Sequence, residues 1–407
     1  MCKETRFSCA FNADGSDSCF VGDVEATIDF GFASLKIDSC GIQRNMTEYA
    51  RLFNESGHAL VLENCHNGNP YNPVRGAHDN VECPMNLFRT SGDIRPQWGS
   101  ILSNLMTTVE FNAGLSGPGC YGYPDMLGAY ICLLGKLPCC TPAHFSPSPP
   151  PLCLHTRTVE VGVSQMPARG SLNFLTPSET RTHFSAWCIV SSPLTLSHDL
   201  TNTSTMDAVW TIITNREALA VNDAWAGTYA PHSSLALLPP RSPLPWSPCL
   251  THHTHTHTHT HTHTHSGDAG VLVKKSEEML PFTNCAWGFN QNCEHAATMV
   301  WKKQMNGGKM AVLLMNNRNV SADVNITWKH DLLPDLHFQC APGGCPVRDI
   351  DRRKDLGLFD DGGFSANIPP HDSVFIVVQQ CEKEPTYPFK CVNTTRESGD
   401  EEVMVGR

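Results

Sequence analysis

Residues 34–41 read SLKIDSCG, and the fold depends on how this octet is placed. Leu35 and Ile37 alternate with Lys36 and Asp38, the two-residue period of a strand with one apolar face. Lys36 and Asp38 therefore share the other face, and Cys40 follows at once. On a surface strand the two charges would be a solvated ion pair. At the C-terminal end of a buried strand they would be a site.

The flanking sequence favours the buried strand. FASLKID (32–38) is followed by MTEYARLFNESG (46–57), an amphipathic helix that Gly57 stops, and then by HALVLEN (58–64), a second strand. NLFRTSGD (86–93) supplies a third strand. QWGSILSNLMTTVE (97–110) is the clearest helix, with Trp98, Ile101, Leu102, Leu105, Met106 and Val109 on one face. PSETRTHFSAWCIVSS (177–192) predicts another helix and PLTLSHD (193–199) a returning strand. TMDAVWTIITN (205–215) predicts a further helix with Met206, Val209, Trp210 and Ile213 on one side. Such alternation implies parallel strands covered by helices. In a β/α barrel, chemistry collects at the C-terminal strand ends, where Asp38 and Asp93 fall.

After residue 268 the pattern changes. KMAVLLMNN (309–317), ADVNITW (322–328) and DSVFIVVQQ (372–380) are β-rich, and Val324, Ile326 and Trp328 alternate with polar neighbours. Short strands between Gly, Pro and Asp turns predict an antiparallel sandwich. Residues 1–230 are thus expected to form the α/β part, 268–382 the sandwich and 383–407 a polar tail. Two stretches fit neither part: the Pro- and Cys-rich 135–156, and 231–267 with its alternating His and Thr from His253 to His265. A His-rich tract can bind metal. Alternating His and Thr is also what a translated CA dinucleotide repeat yields, and both stretches read as translated non-coding sequence.

The chain has 407 residues, 40% of them hydrophobic, and a net charge of −11. No basic run suits phosphate binding, which excludes a nucleic-acid partner. No apolar run approaches a membrane span. Nineteen cysteines and six N-x-S/T sequons (Asn45, Asn54, Asn202, Asn319, Asn325 and Asn393) point to an oxidising, secretory setting, although the polar start MCKETRFSC shows no signal peptide.

A carboxylate at a barrel strand end can bind metal, act as a base or attack as a nucleophile. Lys36 on the same face argues against a cation site and for hydrogen bonding to a polar ligand. Asp93 follows Arg89 by four residues, and Asp125 lies in GPGCYGYPDML (117–127). Glycoside cleavage needs two carboxyl groups in unlike environments, one charged and one carrying a proton.

LKIDSCG, LFRTSGDI, GPGCYGYPDML and HFSAWCIVSSPLTLSHDL occur in this order and resemble the α-galactosidase (melibiase) family, glycoside hydrolase family 27. VRDIDRRKDLG (347–357) resembles the family's C-terminal domain. The resemblance implies an incomplete (β/α)8 TIM-type barrel, about three units short, followed by a β-sandwich. It makes Asp38 the nucleophile and Asp93 the acid/base of a retaining hydrolysis. Lys36, Arg89 and Asp125 would bind the sugar. It implies bridges Cys9–Cys40, Cys65–Cys83 and Cys340–Cys345. It also implies no cofactor or metal, an α-galactoside-type substrate, and possible homodimers in the secretory route, the lysosome or a vacuole. Two departures stand out. His66 in NCHNGNP (64–70) occupies the sugar-selecting loop where glutamate is common, and GYPDM replaces the usual NDPDM. The competing expectation is an impaired, truncated or mis-spliced member that at most binds sugar.

Overall fold

The computed structural model describes residues 19–38, 43–75, 81–111, 115–117, 119–127, 175–224, 269–283, 285, 292–332, 344–360 and 362–379. Its first part alternates helix and strand: α1 (Cys19–Asp29), β1 (Ser34–Ile37), α2 (Met46–Ser56) and β2 (Val61–Asn64). A short hairpin of β3 (Val74–Arg75) and β4 (Val81–Glu82) precedes β5 (Leu87–Arg89), α3 (Trp98–Thr107) and β6 (Tyr121–Tyr123). The helices α4 (Pro177–Ile189), α5 (Thr203–Ile213) and α6 (Arg216–Asp223) complete it.

The parallel sheet runs β1-β2-β5-β6, so three successive crossovers each add the next strand. Its ladders place Ile37 beside Asn64, Asn64 beside Phe88, and Phe88 beside Gly122. A parallel bridge between Leu127 and Leu196 continues the same direction. Ile37, Leu62 and Phe88 point to one face and pack on Met46, Tyr49 and Phe53 of α2. The helix begins where the Asn45 side chain accepts from the Glu48 N–H, and it ends at Gly57, whose φ of 69° is cheap only for glycine. This is an open part of a β/α barrel, with β1 at its edge among the described residues.

The second part is antiparallel. It contains β7 (Val271–Lys275), β8 (Met279–Phe282), β9 (Cys293–Ala296), β10 (Thr298–Met305), β11 (Lys309–Asn316) and β12 (Ala322–Ile326). Then come β13 (Cys345–Asp349), β14 (Lys354–Phe359), β15 (Phe364–Ile368) and β16 (Asp372–Gln379). Six strands pair as β14-β13-β16-β11-β10-β7, and β12 pairs with β15 to form the opposing layer. Val312 and Leu314 of β11 enter the sandwich core with Val324 and Ile326. Ala311, Leu313 and Met315 face the other way, onto Trp187 and Ile189 of α4. Burial on both faces explains why KMAVLLMNN is a continuous apolar run rather than an alternating one.

Several expectations change. Cys65 is a buried free thiol, and Cys83 is bonded instead to Cys120 with Cα atoms 6.0 Å apart. The reason is strand direction. Cys65 follows the C-terminal end of β2, while Cys83 precedes the start of β5 at the opposite end of the sheet. Cys120 precedes β6 at that same end. A disulfide needs Cα atoms within about 7 Å, less than the strand-length gap from Cys65 to Cys83. Residues 193–199 contribute only the Leu196 bridge, not a full strand. Trp210 is 55% exposed, off the buried side of α5. Cys9, Cys40, Cys340 and the stretches 135–156, 231–267 and 383–407 lie outside the described residues. Among the described residues no helix is long and apolar enough to cross a membrane.

Candidate active site

With Ile37, Leu62 and Phe88 committed to α2, the alternate positions must line the other face of the sheet. Lys36 lies beside Glu63, and Arg89 beside Tyr123. Asp38 and Cys65 follow β1 and β2 directly, next to the Cys65 N–H that donates to the Ile37 carbonyl at 2.8 Å. The C-terminal row thus carries cation, carboxylate, thiol, guanidinium and phenol side by side.

These groups are wired to one another. Lys36 Nζ is 3.5 Å from Glu63 Oε1, and the Tyr123 hydroxyl donates to that same oxygen. Burial is the largest influence on Lys36 and opposes its charge, but Glu63, Cys65 and Asp125 together outweigh it and the pKa is raised. Burial, and then Glu63, push the Tyr123 phenol well above its ordinary value. Arg89 is the central cation. Its Nη1 lies 2.9 Å from Asp93 and 3.4 Å from Asp125. The two aspartates differ in setting. Asp93 is 64% exposed at the mouth, whereas Asp125 is 6% exposed. Asp125 accepts the Ile94 N–H at 2.7 Å and the Met126 N–H at 2.9 Å. Its backbone adopts φ of 81°, and its carbonyl accepts the Trp187 indole N–H at 2.7 Å, which pins the strand end to α4.

The loop after β2 closes over this row. Buried Asn64 holds it by donating to the Pro70 and Tyr71 carbonyls at 3.0 Å each and accepting from the Gly68 N–H at 2.8 Å. A Cβ on Gly68 would lie 2.4 Å from the Met46 sulfur, so the close approach requires glycine. Asn67 donates to Asp38 at 3.3 Å and to the Cys65 carbonyl at 2.7 Å. His66 contacts the Ser91 carbonyl and the Tyr71 hydroxyl, and stacks on the Tyr71 ring. Burial lowers its pKa, so the ring is neutral at pH 7. Burial also pushes the Cys65 thiol up to about 12, which leaves it protonated and unreactive.

Lys36, Asp38, His66, Arg89, Asp93 and Asp125 therefore meet at the ends of four adjacent strands. Asp38 and Asp93 extend from β1 and β5 with β2 between them, two strand spacings or about 10 Å at the backbone. Glu63, Asn67, Tyr71 and Tyr123 join the site without having been singled out. Glu63 carried the one available signal: a carboxylate within the strand HALVLEN, on the face opposite Leu62.

Known proteins share parts of this fold. Residues 296–378 match the family model for the alpha galactosidase C-terminal beta sandwich domain. A curated α-galactosidase from Oryza sativa subsp. japonica is 26% identical over 220 residues, which are 53% of this chain and 41% of the rice protein. The chain thus spans about two fifths of that relative's length. The fold is similar to α-galactosidase I from Mortierella vinacea, with a TM-score of 0.52, 15% identity, and coverage of 90% of this chain and 72% of that one. It is similar to the Saccharomyces cerevisiae α-galactosidase, with a TM-score of 0.53, 13% identity, and coverage of 90% and 77%. It is also similar to a family 27 β-L-arabinopyranosidase from Geobacillus stearothermophilus, with a TM-score of 0.55, 16% identity, and coverage of 94% and 68%. The sandwich thus matches the C-terminal domain of the α-galactosidases, and the parallel sheet with the sandwich behind it is similar in fold to family 27 glycosidases.

Proposed function

We propose that this chain is a retaining glycoside hydrolase acting on terminal α-galactosidic bonds by double displacement. The observation that carries the reading is the shared Arg89, which holds exposed Asp93 and buried Asp125 on one guanidinium across the sheet from Asp38. Three carboxylates in three settings divide the labour of glycoside cleavage.

Asp38 attacks the anomeric carbon, and its carboxylate becomes the glycosyl ester. Asn67, donating to Asp38, orients it for that attack. Asp93, at the solvent-facing mouth, gives its proton to the leaving oxygen and then takes one from the water that releases the sugar. Asp125 has both oxygens engaged by backbone N–H groups, so it is a fixed acceptor for a sugar hydroxyl rather than a proton carrier. Lys36 and Arg89 donate to further hydroxyls. Neutral His66 presents a short polar edge where a glutamate would present a charge, so it tunes which hydroxyl pattern is accepted. The substrate class is an α-galactoside oligosaccharide or glycoconjugate. The Cys83–Cys120 and Cys285–Cys293 bridges and the sequons support passage through the secretory route.

Hydrolysis of an aryl α-galactoside by the full chain, with the product anomer followed by proton NMR, tests this. The expected result is α-galactose as first product and no turnover in Asp38→Ala. Unchanged turnover in Asp38→Ala, or β-galactose as first product, rejects it. A folded chain that binds galactose without turning over any aryl glycoside would make it the impaired relative.

A further inference from the structure

A second cluster of reactive side chains lies where α3 meets the β8–β9 hairpin, away from the strand-end site. Phe282 pairs with Cys293 and Leu280 with His295 in that hairpin. Cys293 and His295 are two apart on β9 and so face one side. Cys285, three residues past β8, is bonded to Cys293 with Cα atoms 6.0 Å apart. His295 Nε2 is 3.2 Å from Cys293 Sγ, and both lie near the Ser103 hydroxyl of α3, at 2.8 and 3.2 Å. The two sulfurs and the imidazole nitrogen all lie within 4.8 Å of one another. Cys285 and His295 are 3% and 8% exposed.

Two thiolates and an imidazole are a donor set for zinc rather than for magnesium or calcium. Zinc bonds of about 2.3 Å to sulfur and 2.0 Å to nitrogen place tetrahedral ligands roughly 3.5–3.8 Å apart, inside the observed spread. A disulfide offers no thiolate, so the set is complete only after reduction. We propose that Cys285, Cys293 and His295 form a redox-gated zinc site that opens when the Cys285–Cys293 bond is reduced.

The steps balance. A dithiol reductant delivers two electrons and two protons. The Cys285–Cys293 bond breaks to two thiols, and the reductant closes to its own disulfide. Zn2+ then releases both thiol protons to solvent and forms two S–Zn bonds and one N–Zn bond. His295 binds as neutral imidazole through the lone pair of Nε2, the nitrogen that faces Cys293, and so gives up no proton. The Ser103 hydroxyl, or a water held by it, takes the fourth position. The bridge and the zinc site are alternative clasps between the same two strands, and each rests on α3. This inference stands whether or not the chain is a glycosidase.

The His/Thr run at 253–265 is itself a zinc sink, so total bound zinc is not the readout. Instead the full chain is reduced with a phosphine, given Zn2+ or a chelator, alkylated with iodoacetamide and mapped by peptide mass spectrometry. Cys285 and Cys293 are expected to alkylate at least about tenfold more slowly with zinc, since only a metal-free thiolate attacks. His295→Gln is expected to remove that protection at both cysteines while leaving the alkylation of Cys83 and Cys120 as in the unaltered chain. Equal alkylation with zinc and with chelator in the unaltered chain overturns the site. Protection that survives in His295→Gln overturns the imidazole as a ligand.

Discussion

At the seam between α4 and the six-stranded sheet, polar side chains pair with one another across the contact. At the strand ends the same residue types stand partly in water. Arg181 meets Asp372 at 2.6 Å, and the Thr182 hydroxyl donates to Ser373 at 2.9 Å. Lys303 is 1% exposed, yet its ammonium donates to the Ser191 hydroxyl at 2.6 Å and to the Val221 and Asn222 carbonyls at the end of α6. By contrast Asp93 is 64% exposed and Lys36 38%. The seam spends its polar groups on joining two domains. The strand ends leave theirs available to a ligand. Substitutions at the first should therefore cost stability, and at the second activity.

The largest expected separation is at Asp93. Asp93→Asn should lower kcat/KM by about 10²–10⁴-fold, the usual range for a general acid/base, with the melting temperature unchanged. A parallel loss of stability would blur the comparison. Lys303→Met should do the reverse. It removes the ammonium from the Asn222 carbonyl and leaves the Val221 carbonyl only the Ala224 N–H at 3.3 Å, and should cost about 2–4 kcal/mol in urea unfolding, with turnover per folded molecule preserved. Arg181→Ala should cost less, about 1–3 kcal/mol, because Asp372 keeps its bond from the Ser373 N–H at 2.8 Å.

A pH effect sharpens the picture of the seam. Asp351 borders a cavity of about 280 Å3 with Arg181 and Arg353. Burial pushes its carboxyl up to about 7, with Arg181 and Ser185 opposing and Asp349 and Asp372 adding to the rise. The native state then holds a proton that the unfolded chain, near pKa ~3.9, gives up. Its contribution to stability is present below about pH 4 and is lost as pH rises to about 7. Asp351→Asn should flatten that slope in thermal melts from pH 4 to 8. The smallest effect is expected at Arg51, which pairs with Glu48 and Glu55 on the open face of α2. Arg51→Ala should leave the melting temperature unchanged, because exposed pairs contribute little.

The sequence carried the local elements and the side chains of the candidate site, but not the long-range pairing. Asn45, the apolar stripe through Tyr49 and Phe53, and Gly57 state α2 completely. Strands β1, β2 and β5 follow from alternation, and their C-terminal residues supplied Lys36, Asp38, Arg89 and Asp93. The Cys83–Cys120 bond depends on which strand ends share a side of the sheet, which no local spacing reveals. Trp210 has the period of a core residue on a helix whose covered face is narrower than its apolar stripe; only Val209 of α5 is fully buried. The polar residues Arg181, Thr182 and Ser185 read as a solvated helix face until the sandwich lies against them. The Cys293–His295 pair sits in CEHA (293–296), too short a strand to stand out by pattern.

The central claim is that the carboxylate after β1 forms a bond to the sugar. Quenching the full chain during turnover of a slowly hydrolysed fluorinated α-galactosyl substrate, then mapping peptides by mass spectrometry, observes that bond. The account predicts one galactosyl adduct, on Asp38, absent in Asp38→Ala. An adduct on any other residue, or steady turnover with no adduct at all, would contradict it.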